Sequence, residues 1–428
     1  MTIEHLDQLK TVLQMIKPTS LQRVAFYDAY LALERFAPTI FDIFPNLSEF
    51  TVAFTSDNLF TRQTKAKKFL KKSSAKYALN HLWLQLRDGG FGTSTNHRIA
   101  KKLIKDSPHL TQLFVESMAT TAHEDIIGML STGRCPNLEV LGMTHYGRIR
   151  QLLAHPIVKE IKNRNKENNS SLKKTAQQPT RRGIRVLAIT EDHIHRSYFG
   201  YMKIKENMVK EVHNTLELLY LENLNTSSHV TWPELFSCCT KDIWFPRLRH
   251  LILHLGSTFP TTSYIYPNII EEDFQGKLCT VLSRVPGLEN FTYRRELVPR
   301  YYREEKTLIT DSVLQTLIEY CPVLTTFRVA GCYRFTTNKL RQFIQEFEGQ
   351  LKTVEFDCSI GGENLQFVVK TIKHLEKISV RHICQQERDF HSCPNMQEIE
   401  AKNILLTWGG SFDITTLEPI DGVLHDIF

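Results

Sequence analysis

The chain has 428 residues, 42% of them hydrophobic and 23% charged, which is ample apolar mass for a large core and excludes a disordered or fibrous chain. The net charge of +7 is concentrated in two runs, 62–76 and 159–185, each with seven more positive than negative side chains, so the remaining chain is mildly acidic. No apolar run reaches the roughly 18–20 residues of a membrane span. The N-terminus, MTIEHLDQLKTVLQMI, lacks the basic start and unbroken apolar stretch of a signal peptide. The nine cysteines are odd in number and form no CxxC pair, which predicts reduced thiols and a cytoplasmic or nuclear chain.

Taken in order, the chain repeats one pattern. The motif L-x-x-Φ-x-Φ, with Φ apolar, begins at Leu21, Leu47, Leu79, Leu110, Leu138, Ile184, Leu216, Leu248, Leu288, Leu324, Leu351, Leu375 and Met396. The spacings run from 21 to 46 residues, mostly at or above the roughly 20–29 of leucine-rich repeats. A short punctuation with a central proline often precedes it, as in Phe44-Pro45-Asn46, Cys135-Pro136-Asn137 and Cys321-Pro322-Val323. Between these predicted strands lie helical periodicities: Ile99, Leu103 and Ile104; Ile126, Ile127 and Leu130; Leu340, Phe343, Ile344 and Phe347; Leu365, Val368, Val369 and Ile372. The clearest unit is 308–332. There Val313, Leu314, Leu317 and Ile318 predict a helix that Thr310 or Asp311 can cap, Cys321-Pro322 ends it, and Leu324, Phe327 and Val329 predict a strand. Such a unit cannot bury its own apolar faces and needs neighbours of its kind. Alternating strand and helix predicts an α/β fold with a parallel sheet on the inner curve and helices outside.

The strand motif, the Cys-Pro-Asn-Leu punctuation and the phrase Asp311–Cys332 resemble the cysteine-containing leucine-rich repeats of F-box proteins and their ribonuclease-inhibitor-like relatives, over about 21–406. The resemblance implies a leucine-rich-repeat solenoid, or horseshoe. It also implies the substrate-receptor arm of a cullin-type ubiquitin ligase, with a ligase linker subunit as a partner. That family often carries an N-terminal F-box. No such pattern is found here, because the first strand is underway by Leu21. The chain is expected either to be an array without that module or to start short of it.

Residues 1–158 are expected to form N-terminal repeats and 159–182 a basic disordered loop, with 183–428 continuing the same array. Further insertions are expected at 256–276 and 294–306, in positions where solenoids often recognise partners.

No constellation that would carry catalysis is found, and no cofactor or metal is implied. The cysteines of the Cys-Pro turns, Cys135, Cys321 and Cys393, read as small buried side chains rather than ligands. The stretch Asp88-Gly89-Gly90-Phe91-Gly92 lacks the Gly-Lys-Ser/Thr ending of a phosphate loop. His193 and His195, like His250 and His254, have no carboxylate or thiol at ligand spacing.

Strand alternation supplies the candidate site. Apolar Φ positions point to the core, so the interleaved positions face the open concave side. There the sequence places Trp83, Phe114, Tyr220, His250, Ile252, His254, Arg294 and Arg328. Aromatic residues on such a face are typical of binding hot spots, which predicts a protein substrate or regulator as partner. The competing expectation is that the basic segment or the tail folds over them. A second reading is nucleic-acid or polyanion binding through a basic patch of Lys65, Lys67, Lys68, Lys71, Lys72, Arg181 and Arg182. The lysines of 62–76 also fit a solvated helix face. A third is GTPase regulation, a function that leucine-rich repeats also serve.

Overall fold

One turn recurs through the chain and starts strand after strand. The carbonyls of Phe44, Ser107, Cys135, Phe245, Val285 and Cys321 accept from the amides three residues on, over 3.1–3.3 Å. In each turn a proline holds the second position, where its fixed φ is pre-set and no N–H is required. The donor is each time the leading leucine of the motif, Leu47, Leu110, Leu138, Leu248, Leu288 or Leu324, and each is buried. The turn therefore ties the reversal of the chain to the burial of the first core residue of the next strand.

The computed structural model describes residues 11, 15, 21–26, 33–55, 69–70, 76–86, 95–117, 126–130, 132–144, 149–171, 183–191, 208–223, 243–255, 268–295, 309–330, 333–357, 360, 362–381 and 404–409. They divide into one unit ending at Ile189 and a second starting at Thr190. Both have the leucine-rich-repeat arrangement of parallel strands alternating with helices. Among the described residues, no helix is long and apolar enough to cross a membrane.

Unit 1 carries parallel strands β1 (Arg23–Phe26), β2 (Glu49–Thr55), β3 (His81–Leu86), β4 (Gln112–Ser117), β5 (Val140–Thr144) and β6 (Val186–Glu191). They pair in sequence order. Helix α1 (Leu33–Ile43) and helix α2 (Thr95–Lys105) pack on the core face: Phe41 of α1 meets Phe50 of β2 with ring centroids 5.1 Å apart. Helices α3 (Ile149–Ala154) and α4 (Pro156–Ser171) follow β5.

Unit 2 carries β7 (Leu218–Asn223), β8 (His250–Leu255), β9 (Asn290–Arg295), β10 (Ile309–Thr310), β11 (Thr326–Ala330), β12 (Tyr333–Arg334), β13 (Thr353–Asp357), β14 (Lys377–Arg381) and β15 (Leu405–Gly409). The main sheet runs β7-β8-β9-β11-β13-β14-β15, all parallel, and β10 pairs with β12 apart from it. Helices α5 (Asn268–Leu282), α6 (Asp311–Tyr320), α7 (Thr337–Glu346) and α8 (Gly362–Thr371) each pack on the next. Phe327 of β11 touches Phe343 of α7 at 4.6 Å, so the core lies between sheet and helices here too.

The turn cysteines are buried as expected. Cys135 Sγ donates to the Ile104 carbonyl at 3.7 Å, and Cys321 Sγ lies 3.7 and 3.8 Å from the Leu282 and Val285 carbonyls of the preceding repeat. Burial pushes the two thiols up to about 11 and about 12. Cys393 lies outside the described residues.

Three expectations are corrected. Residues 159–171, expected as disordered loop, belong to α4. Its apolar residues Ile157, Val158 and Ile161 are all buried near one end, so no long periodic stripe marks it. The insertion at 256–276 contains the first turns of α5. The strand expected from Met396 lies outside the described residues, among which the strand beside β14 is Leu405–Gly409. Thr310 makes no side-chain cap on α6. Asp311 instead accepts from Thr336 N at 2.8 Å and Thr336 Oγ1 at 3.0 Å, while Thr336 caps α7 through Lys339 N at 3.2 Å. One carboxylate thus fixes the start of the next helix.

Candidate functional site

The strand residues between core positions form the second face of each sheet. In unit 1, Glu49, His81, Gln112, Val140 and Val186 stand side by side, and Thr51, Trp83, Phe114, Gly142 and Ala188 form the adjacent row. Helices α3 and α4 lie across this face. Gly142 makes room for α3: a β-carbon there would stand 2.8 Å from Phe114 Cδ1, 3.1 Å from Ile149 Cδ1 and 3.3 Å from Leu152 Cδ2. Glycine within a strand marks such a close approach.

Polar groups of the sheet hold the two helices by their backbone and their cations. Glu116 Oε1 accepts from Ile149 N at 3.0 Å, at the N-terminus of α3. Gln112 Nε2 donates to the Val158 carbonyl at 3.2 Å, and its Oε1 accepts from His81 Nδ1 at 2.8 Å. Lys162 Nζ sits 2.9 Å from Glu49 Oε2. Arg164 pairs with Glu139, whose carboxylate is also 3.7 Å from Arg185, and Arg185 in turn reaches Glu160 of α4 at 3.2 Å. Glu49, Glu116 and Glu139 are all buried. Buried carboxylates are tolerated only when paired or hydrogen-bonded, and the basic segment supplies much of that pairing.

Unit 2 carries a different polar arrangement on the same face. Glu222 Oε1 lies 3.3 Å from His254 Nδ1, and the Tyr220 hydroxyl is 3.5 Å from the same nitrogen. Arg294 Nη2 donates to Glu355 Oε2 at 2.7 Å, spanning β11, on which Arg328 stands. Burial lowers His250 to about 4, with Arg249 adding to the effect. Among the described residues, no group of three His, Cys, Asp or Glu side chains could hold a metal ion.

No protein-family model matches the chain, and no curated protein does. Among solved structures it is similar to a chain in the crystal structure of the Rad7 and Elc1 complex in yeast, at 15% sequence identity and a TM-score of 0.43, over 94% of this chain and 79% of that one. At that TM-score the likeness adds nothing to the fold, which rests on the strand pairing itself.

The expected docking residues are on the predicted face, and the prediction that they are open to solvent is corrected. Trp83 is 4% exposed, Phe114 0% and Tyr220 8%, and Ile252, His254 and Arg328 are also buried. His250 and Arg294 are partly buried. In unit 1, α4 reaches from Gln112 on β4 to Glu49 on β2 and so crosses β3 at His81, while Ile149 and Leu152 of α3 lie over Gly142 next to Phe114. In unit 2 the charged members turn to one another across the strands, as Arg294 does to Glu355. Lys65, Lys67, Lys68, Lys71, Lys72, Arg181 and Arg182 lie outside the described residues, as do Gly89, Gly90, His193 and His195. The sequence reading missed Glu49, Glu139, Gly142, Lys162 and Arg164. Gly142 carried the available signal, being a glycine between the apolar Leu141 and Met143 of a strand.

Gly142→Val should destabilise unit 1 by about 1–3 kcal/mol, the usual cost of overpacking. Its side chain must push aside the Phe114 ring or lift α3. Urea unfolding followed by circular dichroism measures the loss. Faster amide exchange at 149–161 would identify α3 and α4 as what moved.

Proposed function

We propose that the chain is a non-catalytic protein-recognition scaffold. The observation that carries this reading is the seating of α3 and α4 on the second face of unit 1. That face holds α3 by an apolar notch at Gly142 and by the Ile149 amide donating to Glu116, and α4 by Gln112 donating to the Val158 carbonyl and by ion pairs to Glu49 and Glu139. These are the contacts by which a repeat sheet would grip a foreign helix. Parallel strands hold them in fixed positions, so little order has to be created on docking.

The finer reading follows the resemblance of the Cys-Pro repeats to F-box/leucine-rich-repeat proteins: the chain is the substrate-receptor part of a cullin-type ubiquitin ligase. Affinity purification of the chain with mass spectrometry tests both levels. Recovery of linker and cullin subunits is expected. A reproducible protein partner without ligase subunits would leave the scaffold and remove the ligase role. Recovery of nucleic acid alone, lost steeply with rising salt, would overturn both. Part of the second basic run is already engaged, since Lys162, Arg164 and Arg185 pair with glutamates of the same chain. This weakens the nucleic-acid reading for that run.

A further inference from the structure

We infer that the second face of unit 1 is a docking surface for a basic amphipathic helix of a partner protein, that α4 is its internal stand-in, and that the partner binds by displacing α4. This deepens the scaffold reading and rests on it. Three observations lead here.

The first is an asymmetry of burial. On the sheet side, Glu49 and Glu139 keep only 10% and 4% of their side chains exposed, whereas their partners Lys162 and Arg164 keep 25% and 30%. The receiving groups are deep and the arriving ones are at the rim, as in an interface between a pocket and a ligand. The second is how lightly α4 is attached. Of its 16 residues, the anchoring apolar ones, Ile157, Val158 and Ile161, all fall in the first six. Beyond them the helix sequence is KNRNKENNSS, without an apolar side chain, and Lys162 and Arg164 make its ion pairs to the sheet. Lifting α4 would therefore detach a short apolar anchor and two cations, together with the Gln112 hydrogen bond to the Val158 carbonyl and the Arg185–Glu160 pair.

The third is what lifting would uncover. Glu49 and Glu139 would lose their α4 cations and keep only Arg23 at 3.6 Å and Arg185 at 3.7 Å. Carboxylates so placed favour another cation over water. An apolar pair followed by basic residues, as in Ile157, Val158, Lys162 and Arg164, restores what was lost, so the favoured occupant is a helix of that chemistry. Because α4 is tethered, it competes at an effective concentration on the order of millimolar. A foreign helix should therefore bind the intact chain weakly and a chain with a weakened α4 much better.

The test uses the full chain, a Lys162→Glu/Arg164→Glu variant, and a fluorescein-labelled peptide of residues 154–167. Both substituted side chains lie partly at the surface, and circular dichroism checks that the variant folds. If it does not, Lys162→Gln/Arg164→Gln replaces it. By fluorescence anisotropy the folded variant should bind the peptide about tenfold more tightly than the wild type, and added salt should weaken binding. A peptide carrying the same two charge reversals should not bind. A folded variant whose α4 amides exchange faster but which takes up no peptide would overturn the inference, as would unchanged exchange. Dimers formed by trading α4 between copies would assign the face to a second copy of this chain and overturn the foreign partner. If the peptide fails while the wild-type chain still recovers its protein partner, the inference falls and the scaffold reading stands.

Discussion

Phe327→Ala should remove about 3–5 kcal/mol from the stability of unit 2, the range for truncating a fully buried aromatic side chain. The ring is 0% exposed. It lies 4.6 Å from Phe343 of α7, 5.9 Å from Phe356 of β13 and 6.1 Å from Phe291 of β9, between ring centroids. One side chain thus joins three successive strands and a helix. The cavity left by alanine cannot easily close, because β9, β11 and β13 are fixed side by side by their backbone ladder. In a repeat array each unit is stabilised mainly by its neighbours, so a defect at β11 weakens the coupling on both sides. Urea unfolding followed by circular dichroism measures the loss. Val323→Ala is the control: it lies in the turn before β11 with 45% of its surface exposed, and should shift stability by less than about 0.5 kcal/mol. Equal losses in the two variants would show that the aromatic stack is not what holds these repeats together.

The repeat was legible because a single physical arrangement generates it. A proline turn, a buried leucine and two further apolar residues at period two leave a trace in the sequence wherever they recur. The trace fails where a member is missing. Register places Leu406 beside Ile378 and Trp408 beside Val380, and the sequence has asparagine, not leucine, three residues before Leu406, so the motif cannot be seen there. Helix α4 was hidden for a related reason: an amphipathic stripe is the usual sign of a helix, and α4 has only a short one. The candidate site was half legible. Alternation assigns Trp83 and Phe114 to the second face, and the strands place them there. Alternation says nothing about what lies on that face. A glutamate such as Glu49 reads as solvent-facing until its partner, Lys162, more than a hundred residues away, is known. Such long-range pairing carries no local periodicity, and only the gap at Gly142 announced that another element comes close.

That covering helix leaves a mark on acid stability, expected to be the second largest effect. His81 is buried, and its Nδ1 donates to Gln112 Oε1. The direction follows from Gln112, whose Nε2 is already committed to the Val158 carbonyl. Burial, and then the charge of Lys162, holds the imidazole down to about 4 from its ordinary 6.5, against the opposing pull of Gln112 and Glu49. Because the folded value is depressed, the unfolded chain takes up a proton first as pH falls. The contribution is therefore intact above about pH 6.5 and is lost progressively down to about pH 4, with a full span of about 3 kcal/mol. Urea midpoints at pH 7.5 and pH 4.5 should differ more in the wild type than in His81→Gln, which cannot titrate in this range. The rest of the chain is the same in both proteins, so its own pH dependence largely cancels in the comparison. Lys162→Gln should narrow the difference as well, because removing the α4 cation lets His81 protonate more readily in the folded chain. Identical pH dependence in the wild type and His81→Gln would mean that the imidazole is already hydrated, with α4 not lying over β3 in solution.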